Sequence, residues 1–284
     1  MLNLKSMFSD RLRQRWFYPL LSLMVMLSVV SVQPYSTQAL PWRDLILRGV
    51  EVIQLSNISD RQEIQLGQQI NAEILGSQFQ LYRNRQVATY VDEVGQRLAE
   101  ASDRPNLPYT FQVVSDNSVN AFATMGGFVY VTTGLLKTAD NEAQLAGVLG
   151  HEIGHIASRH SIEQMRQAAV QRGVATAAGL DRNTMIRLGV DLALNRPRSR
   201  KDELEADQRG LRTMTKAGYA PSAMIGFMEK LLDEPSPPAV LSTHPAARDR
   251  IAALEKAIDP ARANVGDGLD ENAYKASIRP LLRG

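Results

Sequence analysis

Cysteine is absent from the 284 residues. That excludes a disulfide scaffold, a thiol nucleophile and any metal site built on thiolates, so a metal bound here must be held by His, Asp or Glu. Histidine is almost as scarce, four in the whole chain, which makes its positions informative. Long apolar runs are lacking too. One lies near the N-terminus and no second of spanning length follows, so a polytopic membrane protein is excluded. One-sided charge is also missing from most of the chain. The formal net charge is +2, but residues 1–39 alone carry +3, from Lys5, Arg11, Arg13 and Arg15 against Asp10. The rest is one unit negative, and without a phosphate loop or aromatic–basic interleaving there is no case for nucleic acid. What is present is 44% hydrophobic and 22% charged residues, enough chain for one large domain or two small ones.

Residues 1–39 have the tripartite form of an export signal: a basic start, an apolar stretch Leu20–Val32, and small residues Thr37 and Ala39 placed for cleavage. Thirteen apolar residues are short for a span, although adding Trp16, Phe17 and Tyr18 brings the run to its lower limit. The segment therefore reads as a signal peptide or as an N-terminal membrane anchor; either way the rest is exported. Residues 40–59 form a connecting segment.

From Arg61 the apolar residues Ile64, Leu66, Ile70 and Ile74 recur at helical spacing, and a second helix is expected over Gln86–Ala101. Two β-like runs, Tyr109–Val114 and Phe128–Thr132, flank Asn120-Ala-Phe-Ala. Asn141–Gln171 reads as one long helix, residues 173–199 as a helix plus a mobile connection. Further helices are expected at Arg200–Ala217, Pro221–Leu232 and Ala246–Ala257, with 259–284 a polar surface tail. The basic cluster Arg196, Arg198, Arg200 and Lys201 reads as a solvated connection, with lipid headgroups as its alternative partner. The methionines at helical spacing, such as Met165, Met224 and Met228, read as core filler. The expected class is α+β, mostly helical, with one small sheet.

The chemistry is concentrated in Gly150-His-Glu-Ile-Gly-His155. Residues four apart on a helix differ by about 40° around the axis, so His151 and His155 project from one face. There they can share one metal ion, while Glu152, about 100° from His151, lies beside it, where a base is needed. His160 falls about 140° from His155 and reads as solvated or capping, not as a ligand. A third ligand must come from elsewhere. Glu203 and Asp207 share a helix face, which suits Glu203 as ligand with Asp207 holding the free nitrogen of a ligating histidine; a solvated acidic face is the competing reading.

A histidine pair with Glu152, followed by Glu203-Leu-Glu-Ala-Asp207, resembles the gluzincin metallopeptidases. The run Ser199-Arg-Lys-Asp-Glu-Leu-Glu-Ala-Asp207 is similar to that of the HtpX-like family, relatives of the CaaX prenyl proteases that include periplasmic quality-control peptidases of the BepA type. Asn120-Ala-Phe-Ala resembles the edge strand over which gluzincins lay a substrate backbone, and Thr243-His-Pro245 with Arg250 resembles a histidine–proline segment of the family. The resemblance spans residues 60–258. It implies a zinc peptidase domain whose small sheet presents an edge strand to the active-site cleft. One Zn2+ is expected on His151, His155 and Glu203, with Glu152 as general base and Asp207 behind the ligands. Asn120 and Ala121 would bind substrate backbone. His244 or Arg250 would stabilise the oxyanion, or His244 would occupy the open metal position and hold the enzyme latent. The implied activity is cleavage of unfolded, misfolded or mislocalised envelope proteins in the periplasm or another extracytoplasmic lumen, with membrane association possible through the N-terminal segment. A chaperone or scaffold with a latent or structural metal is the alternative. Two departures stand out: Met125 replaces the usual Pro, and the tetratricopeptide repeats appended in some relatives are not in this sequence.

Overall fold

A computed structural model describes residues 57–171 and 181–283. The export segment and most of the connecting segment lie outside the described residues. Helix α1 (Asp60–Ser77) starts where Ser59 caps Gln62 and Gln62 bonds back to it, and it buries Leu66, Ile70 and Ile74 as a single stripe. Helix α2 (Arg85–Ala101) is capped by Asn84 and buries Val87, Val91, Val94 and Leu98. Strands β1 (Thr110–Val114), β2 (Ala121–Ala123) and β3 (Phe128–Thr132) form one sheet in the order β1-β3-β2, with β3 parallel to β1 and antiparallel to β2. Short β2 is thus an edge. It turns into β3 through Gly126 and Gly127, both at positive φ, a conformation that favours glycine. Met125, the departure from the family pattern, is buried beside this turn against α1 residues and leaves β2 intact.

After β3 come α3 (Thr133–Thr138), α4 (Glu142–Ala157), α5 (His160–Gln171), α6 (Arg182–Asn195), α7 (Arg200–Lys216), α8 (Ser222–Asp233), α9 (Ala239–Thr243), α10 (Ala247–Ala257), α11 (Glu271–Ser277) and α12 (Arg279–Leu282). The class is α+β, with helices on both faces of the sheet. On one face Val113, Ala121, Ala123, Val129 and Val131 pack with α2, α4 and α8. On the other, Val114, Phe122, Phe128 and Tyr130 pack with α1, α5 and α6. Among the described residues no helix is long and apolar enough to cross a membrane.

Two expectations are corrected. The long helix over Asn141–Gln171 is two helices, because Arg159 adopts φ 57° and ends the first run. Its guanidinium is held by two contacts of 2.7 and 3.0 Å to the buried Glu63 carboxylate and one of 3.1 Å to the Ile58 carbonyl, which stabilises the left-handed residue. The second concerns the C-terminal segment. Residues 259–273 lie largely at the surface as expected, but Tyr274, Ile278 and Leu281 are buried and the Tyr274 hydroxyl donates to the Leu136 carbonyl at 2.7 Å, so the helices that follow are docked on the fold. Three apolar anchors in a polar segment make too weak a period to read.

Candidate metal centre

Helix α4 is buried along nearly its whole length, so the side chains of His151, Glu152 and His155 are held in a low-dielectric interior. Helix α7 begins where the Ser199 hydroxyl accepts from the Asp202 N–H, which sets the rotation that turns Glu203, Ala206, Asp207 and Gly210 towards α4. The third contribution is His244, the residue ending α9. Its N–H bonds the Val240 carbonyl, while the Val240 N–H bonds Val119 just before β2.

These elements bring one donor atom each from His151, His155, Glu203 and His244 within 4.8 Å of one another, all four residues buried. His151 Nε2 lies 3.0 Å from His155 Nε2 and 3.1 Å from His244 Nδ1. Glu203 Oε1 is 3.2 Å from both His155 Nε2 and His244 Nδ1. Behind this group the Nδ1–H of His151 donates to Asp207 Oδ1 at 2.8 Å, and Arg250 donates to both oxygens of Asp207 at 2.7 Å. Arg250 Nη1 is also 2.8 Å from Glu203 Oε2, a charge contact outside hydrogen-bonding alignment. With the His151 proton committed to Asp207, its Nε2 lone pair points at the other donors. Converging lone pairs in a buried site need a cation between them, so the donor set fits a metal.

Without a cation between them, the same groups perturb one another strongly. Burial and Arg250 push His151 down, but Asp207 and Glu203 outweigh them and raise its pKa to about 9. His155 is pushed well below its ordinary value by burial, with Arg198 and His151 adding to the effect. Burial alone would raise Glu203, yet His244 and His151 hold it well below the usual carboxylate range. Asp207 is likewise lowered: its two bonds from Arg250 and its bond to His151 overcome burial. The site is therefore a set of buried groups kept charged or neutral by one another.

Glu152 is buried with Oε1 3.5 Å from His244 Nε2, and its Oε2 has no hydrogen-bond partner. Beside it lies a cavity of about 40 Å³ lined by His151, Glu152, Met224, Phe227, Val240 and His244 among others, so two of the methionines read as core filler also border the site. Asn120 and Ala121 stand on or next to β2, which packs along α4; no hydrogen bond or ion pair joins them to the donor group among the described residues. Because Thr124 bonds Phe128 and Thr132 bonds Asn120, the alternate residues Ala121 and Ala123 turn their main-chain groups away from β3, to a side of the strand that is buried in this arrangement. Asn120 Oδ1 is buried and unpartnered.

Three residues escaped the sequence. Arg198 is buried rather than solvated, 3.5 Å from the Ala123 carbonyl and 3.3 Å from Gln164; its basic neighbours Arg196, Arg200 and Lys201 are exposed as expected. His160, read as solvated or capping, is 5% exposed with Nδ1 2.8 Å from His155 Nδ1. The Arg159 break turns the chain so that the 140° offset of a continuous helix no longer applies. Glu63 ties α1 to this break and to the Gly126 N–H after β2. A charged residue in a helical apolar stripe was its sequence signal.

The profile of peptidase family M48 matches residues 85–258, more than half of the chain, and the chain belongs to that family. It is 30% identical over 253 residues to the beta-barrel assembly-enhancing protease of Escherichia coli K12, an alignment covering 80% of this chain and 50% of that protein. It is 34% identical over 177 residues to the mitochondrial metalloendopeptidase OMA1 of Schizosaccharomyces pombe, covering 59% of this chain and 52% of that one. It is 30% identical over 179 residues to the metalloprotease YcaL of E. coli K12, covering 58% and 70%. The chain thus spans about half the length of the beta-barrel assembly-enhancing proteases it matches.

Proposed function

We propose that this protein is a zinc-dependent endopeptidase that cleaves unfolded, misfolded or mislocalised envelope proteins, exported by its N-terminal segment to the periplasm or another extracytoplasmic lumen. The observation carrying this reading is the convergence of the His151, His155 and Glu203 donor atoms beside Glu152, whose Oε2 is buried without a partner. Two imidazoles and a carboxylate are the ligand types zinc takes in catalytic sites. One zinc ion there would supply electrophilic activation of water and of the scissile carbonyl.

The chain's own groups do the rest. Glu152 takes the proton of the attacking water on its free oxygen and returns it to the departing amide nitrogen. Asp207 keeps the His151 proton on Nδ1 so that Nε2 stays free, and Arg250 offsets the charge of Asp207 and Glu203. With its guanidinium so engaged, Arg250 acts as a positioning residue, and the oxyanion role falls away from it. A substrate strand would pair with the outward main-chain groups of Ala121, with Asn120 Oδ1 accepting from its backbone. Main-chain pairing ignores side-chain identity, which suits unfolded polypeptides of varied sequence.

His244 Nδ1 lies 3.1 Å from His151 Nε2, and its ring borders the small cavity beside Glu152. We read this as a closed resting arrangement with His244 at the open metal position. His244→Ala should then cleave unfolded casein faster than wild type; a fall in rate would assign His244 to catalysis instead. The activity itself is tested with Glu152→Gln, which should bind one zinc ion per chain and cleave no casein. Equal zinc with equally little cleavage in wild type and in His244→Ala alike would sink the peptidase reading and favour a scaffold.

A further inference from the structure

The two histidines of α4 are supported differently. His151 donates its Nδ1–H to a carboxylate, Asp207, whose charge Arg250 balances. His155 directs its Nε2 to the same donor group, 3.2 Å from Glu203 Oε1, and as a zinc ligand through that atom it keeps its proton on Nδ1. The atom facing that proton is Nδ1 of His160 at 2.8 Å, a hydrogen-bonding distance at which one of the two nitrogens must accept. We propose that His160 is the positioning residue of His155: its Nδ1 accepts the His155 Nδ1–H, fixes the tautomer and locks the ring with Nε2 free for the metal. The proposal rests on reading His151, His155 and Glu203 as the zinc ligands.

Geometry supports this role at both ends of the His160 ring. With Nδ1 accepting, the proton of neutral His160 sits on Nε2, which faces the carboxylates of Glu205 at 3.6 Å and Asp202 at 3.8 Å. Glu205 is itself held by the Ser158 hydroxyl at 3.0 Å and by Arg209 at 3.1 Å. The backbone is arranged for the contact as well. The left-handed Arg159 breaks the helix between the two residues and swings His160 back over the end of α4. The result is an unequal pair of ligands. A carboxylate partner makes the His151 nitrogen the more basic donor, whereas a neutral imidazole behind His155 adds less charge to the metal and leaves it a stronger Lewis acid.

The test compares wild type with His160→Phe, which keeps a ring but offers no acceptor, and His160→Gln, whose amide oxygen can accept. Zinc affinity is measured by chelator competition, and the cobalt-substituted proteins are compared by their visible absorption. His160→Phe should lose about 10–100-fold in zinc affinity and shift the cobalt spectrum, and His160→Gln should recover most of both. If folded His160→Phe binds zinc like wild type with an unchanged cobalt spectrum, His160 is only a packing residue and the proposal fails. If wild type binds no zinc, the metal-centre reading fails first, a distinct outcome. Should the Phe variant not fold, nitrogen NMR of the four histidines in the zinc-loaded wild type decides. A proton on His155 Nδ1 and none on His160 Nδ1 is required; the reverse overturns the proposal.

Discussion

The crossing of α4 and α7 is tight enough that one methyl group should separate zinc binding from stability. A Cβ on Gly154 would sit 2.6 Å from the Ala206 carbonyl oxygen and 3.0 Å from its Cα, both backbone atoms of α7. To reach an ordinary 3.4 Å contact the helices must part by about 0.8 Å. Two effects then oppose each other in Gly154→Ala. Replacing a helical glycine is worth up to about 1 kcal/mol, and forcing an extra methyl into a packed contact costs about 1–3 kcal/mol. The net destabilisation of the metal-free protein is therefore about 0–3 kcal/mol. Ligand distances tolerate only about 0.2 Å, so moving Glu203 and Asp207 away from His151 and His155 should weaken zinc binding at least about tenfold. Chelator competition measures the affinity and urea denaturation of the metal-free protein measures the stability. Gly76→Ala is the control. Nothing lies within 4 Å of its Cβ, so it should gain up to about 1 kcal/mol and leave zinc affinity unchanged. If Gly154→Ala is as stable as wild type and holds zinc as tightly, helix approach does not set the ligand geometry and the reasoning fails.

Arg250→Met removes the guanidinium from two buried carboxylates, Asp207 and Glu203, and should cost about 3–5 kcal/mol in urea denaturation of the metal-free protein. The same pair predicts a pH dependence. Asp207 is lowered in the folded state, so its contribution is complete above its unfolded value of about 4 and is lost as the pH falls through the lower folded one. The stability gap between wild type and Arg250→Met should then narrow on acidification; a gap constant down to pH ~3 would show that the ion pair is not its source. Tyr274→Phe strips the donor from the buried Leu136 carbonyl and should lower stability by about 1–2 kcal/mol, read from the denaturation midpoint. No change there would mean that the C-terminal helices do not support α3.

Much of this could be read from local pattern. Leu66, Ile70 and Ile74 in α1 and Val87, Val91, Val94 and Leu98 in α2 announce their helices, since a buried stripe repeats every three or four residues whatever it packs against. His151 and His155 share a face by helix geometry alone, and so do Glu203 and Asp207. The Arg159 break was not legible, because its cause, the carboxylate of Glu63, lies 96 residues away. His160 and Arg198 were misplaced for the same kind of reason. Their burial depends on what returns against them in space, while their local neighbours are polar.

Taken by itself, then, the chain determines which residues can bind a metal and on which helix faces they stand, for one-turn spacing is a property of the backbone. Only the tertiary structure decides that the two faces meet. Gly150, Gly154, Ala206 and Gly210 let α4 and α7 approach until Glu203 reaches the histidines. A loop about 40 residues further along the chain then lays His244 over the same point. Absent cysteine restricted the donors to imidazole and carboxylate; packing assembled them.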